Sequence, residues 1–84
     1  MTNIIVSRWV RGFNKLGDAL GVEYQLSESW TVERLRELCN APKEDPMFDS
    51  YALTPAQARV LVHSIDEAAG EQFDFFLEAD SEDR

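Results

Sequence analysis

One cysteine, one histidine and no long apolar run set the first limits on this chain. A lone Cys39 cannot close an internal disulfide, which points to a reducing, cytoplasmic setting. No apolar stretch approaches the roughly 18–20 residues that span a bilayer. The opening cluster Ile4-Ile5-Val6 already stops at Ser7 and Arg8. No positive segment precedes an apolar core of signal-peptide length, so no signal peptide is expected. The sequence also lacks a glycine-rich phosphate loop, Cys-x-x-Cys, His-Glu-x-x-His and Gly-x-Ser-x-Gly. His63 therefore has no recognisable nucleophile, orienting carboxylate or metal partner. Cys39 has no cysteine or histidine at ligand spacing and reads as a buried thiol on a helix face. Glu44-Asp45-Pro46-Met47-Phe48-Asp49 gathers three carboxylates, but it lacks the alternating ligands, central glycine and closing glutamate of a calcium loop. No catalytic, cofactor or metal site is expected, and the chain is not expected to be an enzyme.

What is present is a small globular composition. The 84 residues are 44% hydrophobic and 29% charged. That suits one domain with one modest core and little room for a deep cavity. The domain is expected over residues 1–79, with 80–84 as a frayed acidic tail. The formal charge of −8 is unevenly placed. Residues 1–40 hold five basic and five acidic residues, whereas residues 41–84 hold three and eleven. Such a field repels nucleic acid and anionic lipid and attracts basic proteins. Acidity also serves solubility alone, which is the plainer reading.

Two changes of period organise the chain. Residues 3–13 are β-branched and aromatic and read as a strand with apolar residues on both faces, hence a central one. Residues 14–21 form a connection with two glycines. Val22, Tyr24 and Leu26 then alternate as a second strand, paired to the first as a hairpin. Val32, Leu35, Leu38 and Cys39 fall at helical spacing, with Thr31 or Ser29 as cap and an end near Asn40, ahead of Pro42. Thr54-Pro55-Ala56-Gln57 spells a capping box with proline at the first helical position. From it a helix is expected through about Asp66, its stripe made of Ala58, Leu61, Val62, Ile65 and Ala69, with Gly70 as terminator. Residues 72–79 alternate as a last strand beside the first. The order is β-β-α-α-β. The fold expected is α+β, a three-stranded antiparallel sheet with two helices on one face.

The aromatic residues Trp9, Tyr24, Trp30, Phe48, Tyr51, Phe73, Phe75 and Phe76 should mostly fill the core. Phe75 and Phe76 are neighbours on a strand, so they point to opposite faces. One of them cannot reach a core on a single face. A ring left outside would mark a contact surface, shared with Asp74 and Glu78.

The segment 45–58, Asp-Pro-Met-Phe-Asp-Ser-Tyr-Ala-Leu-Thr-Pro-Ala-Gln-Ala, and the strand 73–79, Phe-Asp-Phe-Phe-Leu-Glu-Ala, are distinctive. Together they resemble a family of small uncharacterised acidic bacterial proteins. In that family an Asp-Pro-Met/Leu-x-Asp-x-Tyr turn precedes a short helix and an aromatic, acidic strand closes the chain. The opening strand and Gly-Val-Glu-Tyr-Gln-Leu also look like that family. The resemblance implies an immunity protein of a bacterial toxin system.

The expected function is therefore that of an immunity protein or antitoxin. It would neutralise a cognate toxin by direct binding through an acidic surface. Glu44, Asp45, Asp49, Asp66, Glu67, Glu71 and Asp74 would supply charge, and Phe48, Tyr51 or Phe76 the anchor. The partner would be a basic protein, not nucleic acid or a membrane. The alternative is a small regulatory or adaptor module without a toxin partner, self-associating through a sheet edge or the second sheet face.

Overall fold

A computed structural model describes the backbone of residues 4–83 and the side chains of residues 6–80. Four strands and two α-helices follow in the order β1 (Ile4–Asn14), β2 (Leu20–Gln25), α1 (Val32–Cys39), β3 (Tyr51–Leu53), α2 (Pro55–Leu61) and β4 (Phe73–Asp83). A 3₁₀ segment, Glu67–Glu71, precedes β4. The strands form one antiparallel sheet in the order β2-β1-β4-β3. The fold is α+β, as the sequence indicates, but the sheet has four strands instead of three. The first and last long strands lie side by side at its centre.

The extra strand is Tyr51-Ala52-Leu53, which pairs with Leu77, Phe76 and Phe75. Three residues are too few to show an alternation, so sequence periodicity misses them. The second correction concerns α2, which stops at Leu61 and not near Asp66. Val62 turns to extended geometry at φ −133°. Asp66 then accepts a hydrogen bond from the Ala68 N–H at 3.1 Å and starts the 3₁₀ segment. A short acidic side chain that satisfies its own backbone competes with continued helix. Residues 80–83, expected as a frayed tail, are instead paired in β4 opposite Ser7 to Ile4. Residues 1–3, expected to open or lead into the first strand, and 84, expected in the tail, lie outside the described residues.

Both helices begin and end where local chemistry dictates. Thr31 Oγ1 accepts from Arg34 N–H at 3.3 Å at the start of α1, and Asn40 closes it in the left-handed region at φ 54°. Asparagine tolerates that conformation better than most residues. At α2 the capping box is complete: Gln57 N–H donates to Thr54 Oγ1 at 3.1 Å and Thr54 N–H to Gln57 Oε1 at 2.8 Å. Gln57 Nε2 also donates to Leu38 O at 2.9 Å and so ties α2 to α1. Thr54→Ala should cost about 0.5–2 kcal/mol of stability in urea unfolding. A loss within error would mean that the cap does not support α2.

The core lies on one face of the sheet. Val10, Leu53, Phe75 and Leu77 from the strands join Leu35 of α1 and Ala58 and Leu61 of α2 in one buried cluster. Leu26, Met47 and Ile65 complete it from the connections. Gly12 belongs to this face for a reason of space: a Cβ there would stand 2.8 Å from Val22 and 2.9 Å from the Phe75 ring. Among the described residues, no helix is long and apolar enough to cross a membrane.

Candidate functional site: an open sheet face and a strapped acidic loop

The strands' alternation leaves the second face of the sheet without helices. Phe75 is buried in the core, and Phe76 stands on the other face with Asp74 and Glu78, as the strand pattern requires. Phe76 packs edge-on against Phe13, with ring centroids 5.8 Å apart. Trp9 and Arg11 share this face, with the guanidinium 5.2 Å from the Trp9 ring. Trp9 Nε1 is buried among its neighbours and has no acceptor.

Arg11 is the electrostatic centre of the face. It meets Glu23 at 3.0 Å, Glu78 at 3.4 Å and Asp80 at 2.7 Å. Hydrogen bonding to Asp80, above all, pushes the Arg11 pKa up. The same bond holds the Asp80 carboxyl below its ordinary range. One guanidinium cannot neutralise three carboxylates, so the face stays negative. Lys15 adds a loose contact of 4.0 Å to Asp74.

The second feature is the loop between α1 and β3. Asp45 lies at its centre. Its Oδ1 accepts from Met47 N–H at 2.8 Å, and its Oδ2 accepts from the Tyr51 hydroxyl. Two arginines hold the loop's carbonyls. Arg36 Nε donates to Asp45 O at 2.6 Å, and Arg8 donates to Pro46 O at 3.1 Å and to Met47 O. Arg8 has no carboxylate within reach among the described residues, and its partial burial lowers its pKa. These bonds, with a buried side chain, keep Met47 in the left-handed region at φ 60°. Such backbone persists in a non-glycine residue only where its surroundings over-determine it. The turn leaves Phe48 57% exposed on a loop that also carries the exposed residues Glu44 and Asp49.

The ten residues proposed from sequence for partner binding thus divide by role. Glu44 and Asp49 are exposed on the loop, and so is Phe48, with the Arg8 guanidinium 5.9 Å from its ring centroid. Asp45 and Tyr51 are spent on holding it. Asp66 caps the 3₁₀ segment, on which Glu67 and Glu71 are exposed. Asp74 and Phe76 lie on the open face. The loop adjoins the Tyr51–Leu77 end of the β3–β4 pair, and the 3₁₀ segment adjoins the Phe73 end. They do not make one patch. The charge split along the sequence is likewise not a split in space, because β1 and β4 pair and Arg8, Arg11 and Arg36 reach into the acidic half. Arg11 lies outside this partner-binding set. Its role depends on register, which the sequence does not display.

His63 is exposed, and Cys39 is half-buried on α1, where burial raises its thiol pKa. Among the described residues no cluster of histidine, cysteine and carboxylate side chains is suited to a metal. The sequence profile of a domain of unknown function, DUF7683, matches residues 7–78. The chain belongs to this family. In this DUF7683 domain the matched stretch takes in the open face's Trp9, Arg11, Phe13, Phe76 and Glu78 and the whole strapped loop. No curated protein and no solved structure has significant similarity to the chain.

Proposed function

We propose that this protein is a cytoplasmic binding protein of the immunity or antitoxin kind, which neutralises a basic protein partner by docking on it. The observation that carries the reading is the loop around Phe48. It presents the one exposed aromatic ring among the described residues, held from below by Asp45, Arg8 and Arg36. Aromatic anchors on preorganised backbone dominate protein interfaces, because little order remains to be imposed on binding. Glu44 and Asp49, exposed on the same loop, have no ion-pair partner among the described residues. They fit a pocket rimmed by lysine or arginine. Proteins that act on nucleic acid carry such surfaces to bind phosphate. An acidic binder that occupies one competes directly with that substrate.

The experiment is binding to the basic product of an adjoining gene, measured by calorimetry. Glu44→Lys with Asp49→Lys should weaken binding by about tenfold or more, and Phe48→Ala by a comparable factor. Asp45 is left intact because it holds the loop. Glu28→Lys with Glu33→Lys, on exposed positions elsewhere, serves as the control. Equal losses from the two charge pairs would remove the loop from the interface.

A further inference from the structure

β4 is much longer than the strand that covers it. It runs over 11 residues, and β3 pairs with only Phe75, Phe76 and Leu77. From Glu78 to Asp83 its outer edge has no strand or loop backbone bonded to it among the described residues. The direction of its free groups follows from two bonds. Leu26 N–H donates to Arg8 O at 2.8 Å, and Lys15 N–H donates to Gln72 O at 3.1 Å. In an antiparallel ladder these place the even residues of β1 toward β2 and the odd ones toward β4. By the register of β1 with β4, the even residues of β4 bond β1, and Ala79, Ser81 and Asp83 turn their N–H and C=O groups outward. Beyond the reach of β2 and β3, residues 4–7 and 80–83 stand as a two-stranded ribbon. Such a ribbon is marginal in water without a third strand.

We infer that the free outer edge of β4, Glu78–Asp83, takes an extended, lysine- or arginine-rich strand of the partner by β-strand addition. The inference rests on the reading that the partner is basic, and adds where and how a second contact forms. Four of the six residues, Glu78, Asp80, Glu82 and Asp83, are acidic, and none is basic. Arg11 offsets Glu78 and Asp80 only in part, since it is also shared with Glu23. A second copy of this chain would lay the same acidic strand against itself, and like charges placed opposite destabilise a ladder. A basic strand gains both the backbone bonds and the cross-strand ion pairs. The β1 side of the ribbon is the poorer edge, because the Ser27–Trp30 turn shares a depression with Val6, Ser7 and Arg8.

The probe is an acetylated, amidated peptide of about eight residues alternating lysine and valine, long enough to match the free edge. A second peptide is identical except for N-methyl groups on two adjacent central residues, which block both of its edges and keep its charge. Titration into the full chain, followed by amide NMR, should shift residues 77–83 with the first peptide and protect the Ala79 and Ser81 amides from exchange. The methylated peptide should bind at least about tenfold more weakly. Ala79→Pro removes an outward N–H that no strand uses, a position where proline is tolerated at a sheet edge. That variant should keep its amide spectrum elsewhere and lose the peptide to a similar degree. Equal binding of the two peptides, shifts confined to residues 44–49, or no binding of the unmethylated peptide would each overturn strand addition. Shifts confined to residues 44–49 would leave the Phe48 loop as the site for basic peptide, and the loop's own test against the partner is separate.

Discussion

Leu77→Ala should destabilise the protein by about 2–5 kcal/mol, the range for truncating a buried leucine. Leu77 is 1% exposed and sits opposite Val10 of β1 on one side and Tyr51 of β3 on the other. It therefore touches both neighbours of the central strand β4. A domain of this length has a total stability of only about 4–13 kcal/mol at typical values per residue. The variant should lose a large part of its folded population at modest urea. Leu16, 93% exposed in the β1–β2 turn, is the matched control, and Leu16→Ala should stay within about 0.5 kcal/mol. A Leu77→Ala cost below about 1 kcal/mol would mean that β4 is not the centre of the sheet.

Asp45→Ala should abolish partner binding more completely than removing either exposed carboxylate. Asp45 contributes no free charge. Its two oxygens hold Met47 N–H and the Tyr51 hydroxyl, and both donors would lose their acceptor at once. Hydrogen bonds to a charged group contribute about 1.5–3 kcal/mol, so a stability loss of that order should accompany the loss of binding. With its anchor bond gone, Met47 is free to leave the left-handed region, and Phe48 loses its fixed direction. Asp45→Asn keeps an oxygen for Met47 N–H and should recover part of both properties. If Asp45→Ala binds as well as the unaltered chain at a temperature where both are folded, preorganisation of the loop is irrelevant to binding.

The sequence displayed those features that depend on near neighbours. The capping box at Thr54, the helical spacing of Val32, Leu35 and Cys39, and the opposite faces of Phe75 and Phe76 all rest on residues a few positions apart. β3 escaped because three residues carry no period. The end of α2 escaped because Ile65 lies at helical spacing from Leu61 and is buried, yet reaches the core from a turn. Residues 80–83 have little strand propensity of their own and are extended because β1 pairs with them. In the candidate site, the acidity of residues 44–49 was legible, but the division of labour within it was not. Asp45 and Asp49 look alike in sequence. Only the left-handed turn at Met47 and the reach of Arg8 from 38 positions away separate the carboxylate that builds the loop from the one that faces outward.

The central claim is that an acidic surface steers this protein onto a basic partner. Its most direct test is the association rate, measured by stopped flow across a range of ionic strength. The Debye length falls from about 30 Å at 0.01 M to about 8 Å at 0.15 M, so steering fades over that interval. The account predicts an association rate that drops by about tenfold or more across it, with a weaker salt dependence once Glu44 and Asp49 are reversed to lysine. An association rate indifferent to salt would contradict it and leave the carboxylates as solubilising surface.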